Sequence, residues 1–175
     1  MRELANADRI RRFMRALGDA SDGDGACYFT GGATAVLMGW RRSTIDVDIH
    51  LVPESDPLLR AIQTLKNDLR INVELASPAD FIPVRPGWED RSAYISREGR
   101  LSYYHFDLVA QALAKLERAH SQDLADVTAM IERGLIERGA TRVTFDQIEA
   151  DLFRFPAIDP ASFRQRVEDV IGPPR

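Results

Sequence analysis

Apolar residues recur along this chain with two different periods. From residue 7 to 18, Ile10, Phe13, Met14 and Leu17 fall three or four apart, the spacing of one helix face. "ACYFT" (26–30) is a short apolar run that ends at Gly31-Gly32 and reads as a strand. "ATAVLMGW" (33–40) then reads as a helix, with Gly39 as its stop. "TIDVDIHLV" (44–52) switches to strict alternation among β-branched residues, the pattern of a strand. "SDPLLRAIQTLKNDL" (55–69) opens with a Ser-Asp cap and Pro57 at the first helical position, and Leu58, Ile62, Leu65 and Leu69 give it one buried face. "RINVELAS" (70–77) reads as a strand, "SPADFI" (77–82) as a short capped turn, and "PVRPGWEDRS" (83–92) as loop. "AYISREGRLSYYHFD" (93–107) predicts two strands joined at "REGR".

From Asp107 onward the period is helical. "DLVAQALAKLERAH" is one helix; "SQDLADVTAMIERG" is a second, with Ser121 as cap and Gly134 as stop. "TFDQIEADLFRF" is expected to begin at a Thr144…Gln147 capping box. "DPASFRQRVEDVIG" has Asp159 as cap, Pro160 at the first position and Gly172 at its end. The fold class is therefore α/β (α+β). Residues 1–107 form an α/β core and 108–175 a helical part, expected to pack on the core as one unit.

Composition narrows this picture only a little. A chain of 175 residues, 45% hydrophobic and 29% charged, can build an ordinary core without staples. Its single cysteine, Cys27, has no intramolecular partner and sits beside the apolar "YF", where it reads as a buried thiol; nothing points to an oxidising compartment. "MRELANADRIRRFMRALG" carries charge throughout, unlike a signal peptide, and no apolar run approaches a membrane span. A cytoplasmic location without membrane contact is expected. The net charge of −4 argues against a dedicated non-specific nucleic-acid binder. Arg9, Arg11, Arg12 and Arg15 read as a solvated helix face, with a nucleic-acid contact as the alternative.

The chemistry concentrates in "YFTGGATAVLMGWRRSTIDVDIHLV" (28–52). Side chains alternate along a strand, so Asp46 and Asp48 share one face while Ile45, Val47 and Ile49 are expected to face the core. Aspartate is disfavoured in strands. Two carboxylates this close repel, and a hard divalent cation such as Mg²⁺ removes the conflict while also accepting phosphate oxygens. The bland alternative is an exposed face with two solvated aspartates. Upstream, Gly31 and Gly32 sit at a strand-to-helix turn, where backbone N–H groups can approach a phosphate and the helix start adds its dipole. Arg42 and Thr44 precede the aspartates, where a guanidinium and a hydroxyl could meet phosphate oxygens; a surface ion pair and a strand-edge hydroxyl are their bland readings.

"GGATAVLMGWRRSTIDVDI" resembles the signature of the DNA polymerase beta-type nucleotidyltransferase superfamily: a Gly-Gly turn, a spacer helix, then Asp-hydrophobic-Asp on a strand. Its Arg-x-Thr-x-Asp-x-Asp form, Arg42 to Asp48, is similar to the small prokaryotic branch, which includes minimal enzymes and abortive-infection toxins of toxin–antitoxin systems. "LAKLERAHSQDLADV", with Lys115, Arg118, Asp123 and Asp126, resembles the helical segment that follows in that branch. The resemblance implies a mixed sheet flanked by helices. It implies transfer of a nucleoside monophosphate from a nucleoside triphosphate (NTP) to an acceptor, with two Mg²⁺ ions held by Asp46, Asp48 and a third carboxylate. Glu74, flanked by Val73 and Leu75, is the candidate third carboxylate or base; Asp107 is the runner-up, though it can equally cap the next helix. Gly31 and Gly32 would hold the β- and γ-phosphates. Lys115 would reach the triphosphate or simply snorkel.

His105 reads as a packed histidine and Trp88 as a core cover rather than a base-stacking ring. The acceptor stays open among an RNA 3′ end such as that of tRNA, a protein and a small molecule. A cognate antitoxin and a second copy of the chain are candidate partners. Two other classes stay in view: a nucleotide-binding protein of the same fold without turnover, and a partner-binding module of a toxin–antitoxin pair.

Overall fold

The computed structural model describes residues 1–173. The chain divides into two units, one of Met1–Ser77 with Ser92–Phe106, the other of Pro78–Arg91 with the chain from Asp107 onward.

In the first unit the order is β1 (Ala5–Asn6), α1 (Ala7–Ala20), β2 (Gly25–Thr30), α2 (Gly31–Leu37), β3 (Ser43–Thr44), β4 (Asp46–Val52), α3 (Asp56–Asp68), β5 (Asn72–Leu75), and the hairpin strands β6 (Ala93–Glu98) and β7 (Leu101–His105). Five strands form one mixed sheet, ordered β5-β4-β2-β7-β6. β4 runs antiparallel to β2 and parallel to β5, and β7 runs parallel to β2. β1 and β3 make a separate two-stranded ribbon that pairs Ala5 with Thr44.

Alternation decides what each face of the large sheet carries. Cys27, Phe29, Val47, Ile49, Leu51, Val73 and Tyr103 point to one face and are buried with Ile10, Phe13, Met14 and Leu17 of α1 and Leu58 and Ile62 of α3. Each such side chain contributes roughly 1.5–3 kcal/mol of burial. The buried Tyr103 hydroxyl donates to the carbonyl of Met14 at 2.7 Å, so the ring also ties β7 to α1. Ile45 does not join this core. It lies between β3 and β4, outside the ladder, and is 70% exposed. The alternation holds only from Asp46, where pairing with β5 begins.

Glycine sets how closely α1 meets the hairpin. A Cβ on Gly18 would lie 2.0 Å from the carbonyl oxygen of Glu98, and one on Gly99, whose φ is +55°, would lie 2.5 Å from the Gly18 backbone. Helix propensity alone favours Gly18→Ala by about 1 kcal/mol. Overpacking against rigid backbone costs about 1–3 kcal/mol and outweighs it. Gly18→Ala is therefore expected to lower the melting temperature by a few degrees. A rise would show that the hairpin yields to the methyl group.

The second unit contains a 3₁₀ turn (Pro78–Asp80), α4 (Trp88–Arg91), α5 (Leu108–Arg118), α6 (Ser121–Glu132), α7 (Arg138–Glu149), a second 3₁₀ turn (Leu152–Arg154) and α8 (Pro160–Ile171). α8 begins as its sequence predicts: the Asp159 carboxylate accepts from Ser162 N–H at 2.8 Å. Two helix starts differ from expectation. His120, not Ser121, is the cap of α6, and its N–H donates to Asp123 at 3.2 Å. α7 starts at Arg138, so Thr144 lies inside the helix and its hydroxyl donates to the Ala140 carbonyl at 3.0 Å. The reason is the buried stripe Thr141, Phe145 and Ile148, which extends the helical period ahead of the apparent capping box. Phe145 meets Phe163 of α8 edge to face, ring centres 5.0 Å apart.

Candidate active site

The site is built on the opposite face of the sheet from the α1 and α3 core. β2 ends at Thr30, and the chain turns into α2 through Gly31, whose φ of +62° favours glycine. A Cβ there would also sit 2.9 Å from Asp48 Oδ2. At Gly32 a Cβ would fall 2.0 Å from Thr44 Oγ1 and 3.4 Å from Arg41 Nη1. Both glycines are thus fixed by what lies against them, and the turn, Asp48, Thr44 and Arg41 form one close-packed group. The Thr44 hydroxyl donates to the Asp46 carbonyl at 3.0 Å, which holds the entry into β4.

Register completes the row. Thr30 pairs with Asp48 on one side, and Asp48 pairs with Glu74 on the other. Two residues earlier on β4, Asp46 pairs with Asn72. Partners in register share a sheet face, so Asp46, Asp48, Glu74, Asn72 and Thr30 are brought together. Asp46 and Asp48 are half-buried, and Glu74 is exposed on the edge strand β5. The Asn72 amide donates to Asp46 Oδ1 at 2.6 Å and to Glu74 Oε1 at 3.0 Å. Along the same face the polar row gives way to aromatic rings, with Tyr28 stacked on Tyr104 at 5.1 Å.

Among the described residues, no three His, Cys, Asp or Glu side chains are gathered tightly enough to hold a metal by themselves. The donor set still fits Mg²⁺, which binds through one or two carboxylates and takes its remaining ligands from substrate phosphates and water rather than from an all-protein cage. The cradle at Gly31, which a methyl group would fill against Asp48, would set such phosphates beside the carboxylates.

The other residues named from the sequence lie as follows. Arg42 is exposed; its neighbour Arg41 is the one beside Gly32. The Asp107 carboxylate caps α5, accepting from Val109 N–H at 3.1 Å and Ala110 N–H at 3.4 Å, and it pairs with Arg91 at 2.7 Å. Lys115 belongs to the helical unit and is buried, its ammonium 2.7 Å from Asp126 and 3.8 Å from Asp123. Arg118 grips Asp123 through two bonds of 2.6 and 2.7 Å. Burial alone would raise the Asp123 pKa, but Arg118 and Lys115 hold it below the usual carboxylate value. Trp88 is half-buried on α4. No sequence motif singles out Asn72, Arg41 or Thr30. The alternation in "INVEL" already places Asn72 on the Glu74 face, and that is the available signal.

His105 lies on the core face, 6% exposed, with Nδ1 3.0 Å from Thr34 Oγ1. The Thr34 hydroxyl donates to the Phe29 carbonyl at 3.2 Å, so its oxygen accepts and Nδ1 carries the proton. Burial pushes the His105 pKa down from 6.5 to about 4. The neutral ring is thus the folded form, and the unfolded chain binds more protons between these values. Stability is full above pH 6.5 and falls as the pH drops towards 4, by up to about 3 kcal/mol from this group. Urea midpoints at about pH 7.5 and 4.5 should differ less in His105→Gln than in the wild type. Equal differences would assign the acid sensitivity to other groups.

Residues 7–151 match the family described as "Nucleotidyltransferase of unknown function" (DUF6036). The mixed sheet and this match define a nucleotidyltransferase-class protein. The chain belongs to that family, which bears out the superfamily resemblance carried by the Gly-Gly turn and the Asp-x-Asp strand. No curated protein and no solved structure gave a significant match. Among the described residues no helix is long and apolar enough to cross a membrane.

Proposed function

We propose that the protein transfers a nucleoside monophosphate from an NTP to an acceptor hydroxyl in a Mg²⁺-dependent reaction that releases pyrophosphate. The observation that supports this reading is the register row: Asp48 lies between Thr30 and Glu74, with Asp46 next on the same face, and the Gly31 turn is packed directly against Asp48. Asp46 and Asp48 would hold Mg²⁺, with Glu74 as third ligand or as base towards the acceptor. When bound, Mg²⁺ lowers the pKa of the attacking hydroxyl and offsets charge on the triphosphate and its leaving group.

The chain's own residues supply position. The N–H groups of Gly31 and Gly32 would face the β- and γ-phosphates, and Arg41 and Arg42 would add charge-assisted donors. Thr44, closed against Gly32, fixes the distance between turn and strand. The Lys115 charge is taken up by Asp126 and Asp123, so the reading gives it a structural role. The acceptor is an RNA 3′ end, a protein hydroxyl or a small molecule.

Equilibrium binding of each fluorescent NTP, with and without Mg²⁺, tests the site. Binding that needs Mg²⁺ is expected. Affinity indifferent to Mg²⁺ would contradict the carboxylate assignment.

A further inference from the structure

We infer that Asn72 is a positioning residue of this site: its amide ties Asp46 on β4 to Glu74 on β5 and fixes the orientation of both carboxylates. The inference rests on the proposed nucleotidyl transfer and goes beyond the motif, which carries no residue at this position.

Donor and acceptor chemistry fixes the amide. A guanidinium can only donate and a carboxylate can only accept. Arg2 donates to Asn72 Oδ1, while Asn72 Nδ2 donates to Asp46 Oδ1 at 2.6 Å and Glu74 Oε1 at 3.0 Å. Only one orientation of the amide satisfies all three contacts; a flipped amide would set its oxygen against two carboxylate oxygens. Asn72 also has a reason to be where strands disfavour asparagine. It pairs in register with Asp46 and lies two residues before Glu74, so one NH₂ group reaches both.

The amide solves a specific electrostatic problem. Two carboxylates on neighbouring strands repel and would turn apart. A lysine or arginine between them would hold them, but it would also neutralise the negative charge that draws a divalent cation. A neutral double donor holds both and leaves their charge in place. It commits one oxygen of each carboxylate and leaves the other available. Groups that hydrogen-bond metal ligands in this way are worth about 10- to 100-fold in metal affinity or activity.

The test uses the full chain and Mn²⁺ as a spectroscopic stand-in for Mg²⁺. Mn²⁺ binding to the protein is read by electron paramagnetic resonance with a saturating non-hydrolysable NTP, whose phosphates supply the remaining ligands; kcat and KM for transfer are read separately. Asn72→Ala is expected to weaken Mn²⁺ binding by about 10- to 100-fold, while the metal-free melting temperature stays close to that of the wild type. Asn72→Gln, which keeps the amide, should recover part of the loss. Should the alanine variant fold poorly, Asn72→Thr suits a strand, lacks the double donor and should show the same loss. Wild-type Mn²⁺ affinity and turnover in Asn72→Ala, in a protein whose wild type transfers nucleotide, would overturn the inference alone. No Mn²⁺ binding by the wild type would overturn the proposed function together with it.

Discussion

Replacing Asp46 and Asp48 together by asparagine is expected to lower nucleotidyl transfer by about 10³-fold or more while the protein stays folded. Metal assistance of this kind is worth several kcal/mol of barrier, and each ~1.36 kcal/mol is tenfold in rate. Asparagine keeps the shape of each side chain but removes the charge that holds the cation. The fold should survive because neither carboxylate is part of the core: Val47, Ile49 and Leu51 on the other face of β4 carry its packing. The amide oxygen introduced in place of the Asp46 carboxylate would still accept from Asn72. The double variant should also lose the Mg²⁺-dependent part of NTP affinity. Far-ultraviolet circular dichroism and the melting temperature separate this from unfolding. A folded double variant with full transfer would place the chemistry elsewhere.

The largest stability effect is expected at Lys115. Its ammonium is the cation between two buried carboxylates, Asp126 at 0% and Asp123 at 2% side-chain exposure. Removing one partner of a buried pair leaves an uncompensated charge and costs about 3–5 kcal/mol. Lys115→Met should shift the urea midpoint down accordingly. Asp123 keeps Arg118, and Asp126 keeps the Gln122 amide at 3.2 Å, so the variant should be weakened rather than unable to fold. The lowered pKa of Asp123 adds stability above the ordinary carboxylate value, which is lost as the pH falls through the folded value. Lys115→Met removes one of the two cations that lower the Asp123 pKa, so the variant has less of this stability to lose and its gap to the wild type should narrow as the pH falls. Lys115→Met with Asp126→Leu should recover most of the loss, because an apolar pair of similar volume replaces a buried ion pair at little cost. An unchanged midpoint in the single variant would mean that the pair contributes nothing net.

Features written locally were legible in the sequence. Parity alone places Asp46 and Asp48 on one face, and Gly31-Gly32 marks the turn before α2. Asp159, Pro160 and Gly172 frame α8, and the "REGR" connection marks the β6–β7 hairpin. Features that depend on distant pairing were not. Nothing near Glu74 says which β4 residue it will face; that comes from the parallel register that sets it against Asp48. The same register brings Asn72 to Asp46. Arg41 and Arg42 are adjacent and chemically equal in the sequence, and only the packing around Gly32 distinguishes them. The exposure of Ile45 and the early start of α7 are failures of local pattern for the same reason: pairing and burial, not the nearest polar residue, decide where an element begins.

Labels at two positions of one nucleotide distinguish nucleotidyl transfer from phosphoryl transfer. The protein is incubated with Mg²⁺ and each NTP labelled in turn at the α- and γ-phosphate, with total RNA, a protein lysate and a small-molecule fraction as acceptors. Nucleotidyl transfer predicts that the α-label becomes bound to acceptor while the γ-label leaves as pyrophosphate, and that both events vanish with the Asp46→Asn, Asp48→Asn protein. Acceptor labelled by the γ-phosphate, or an α-label that moves equally well with the double variant, would contradict it.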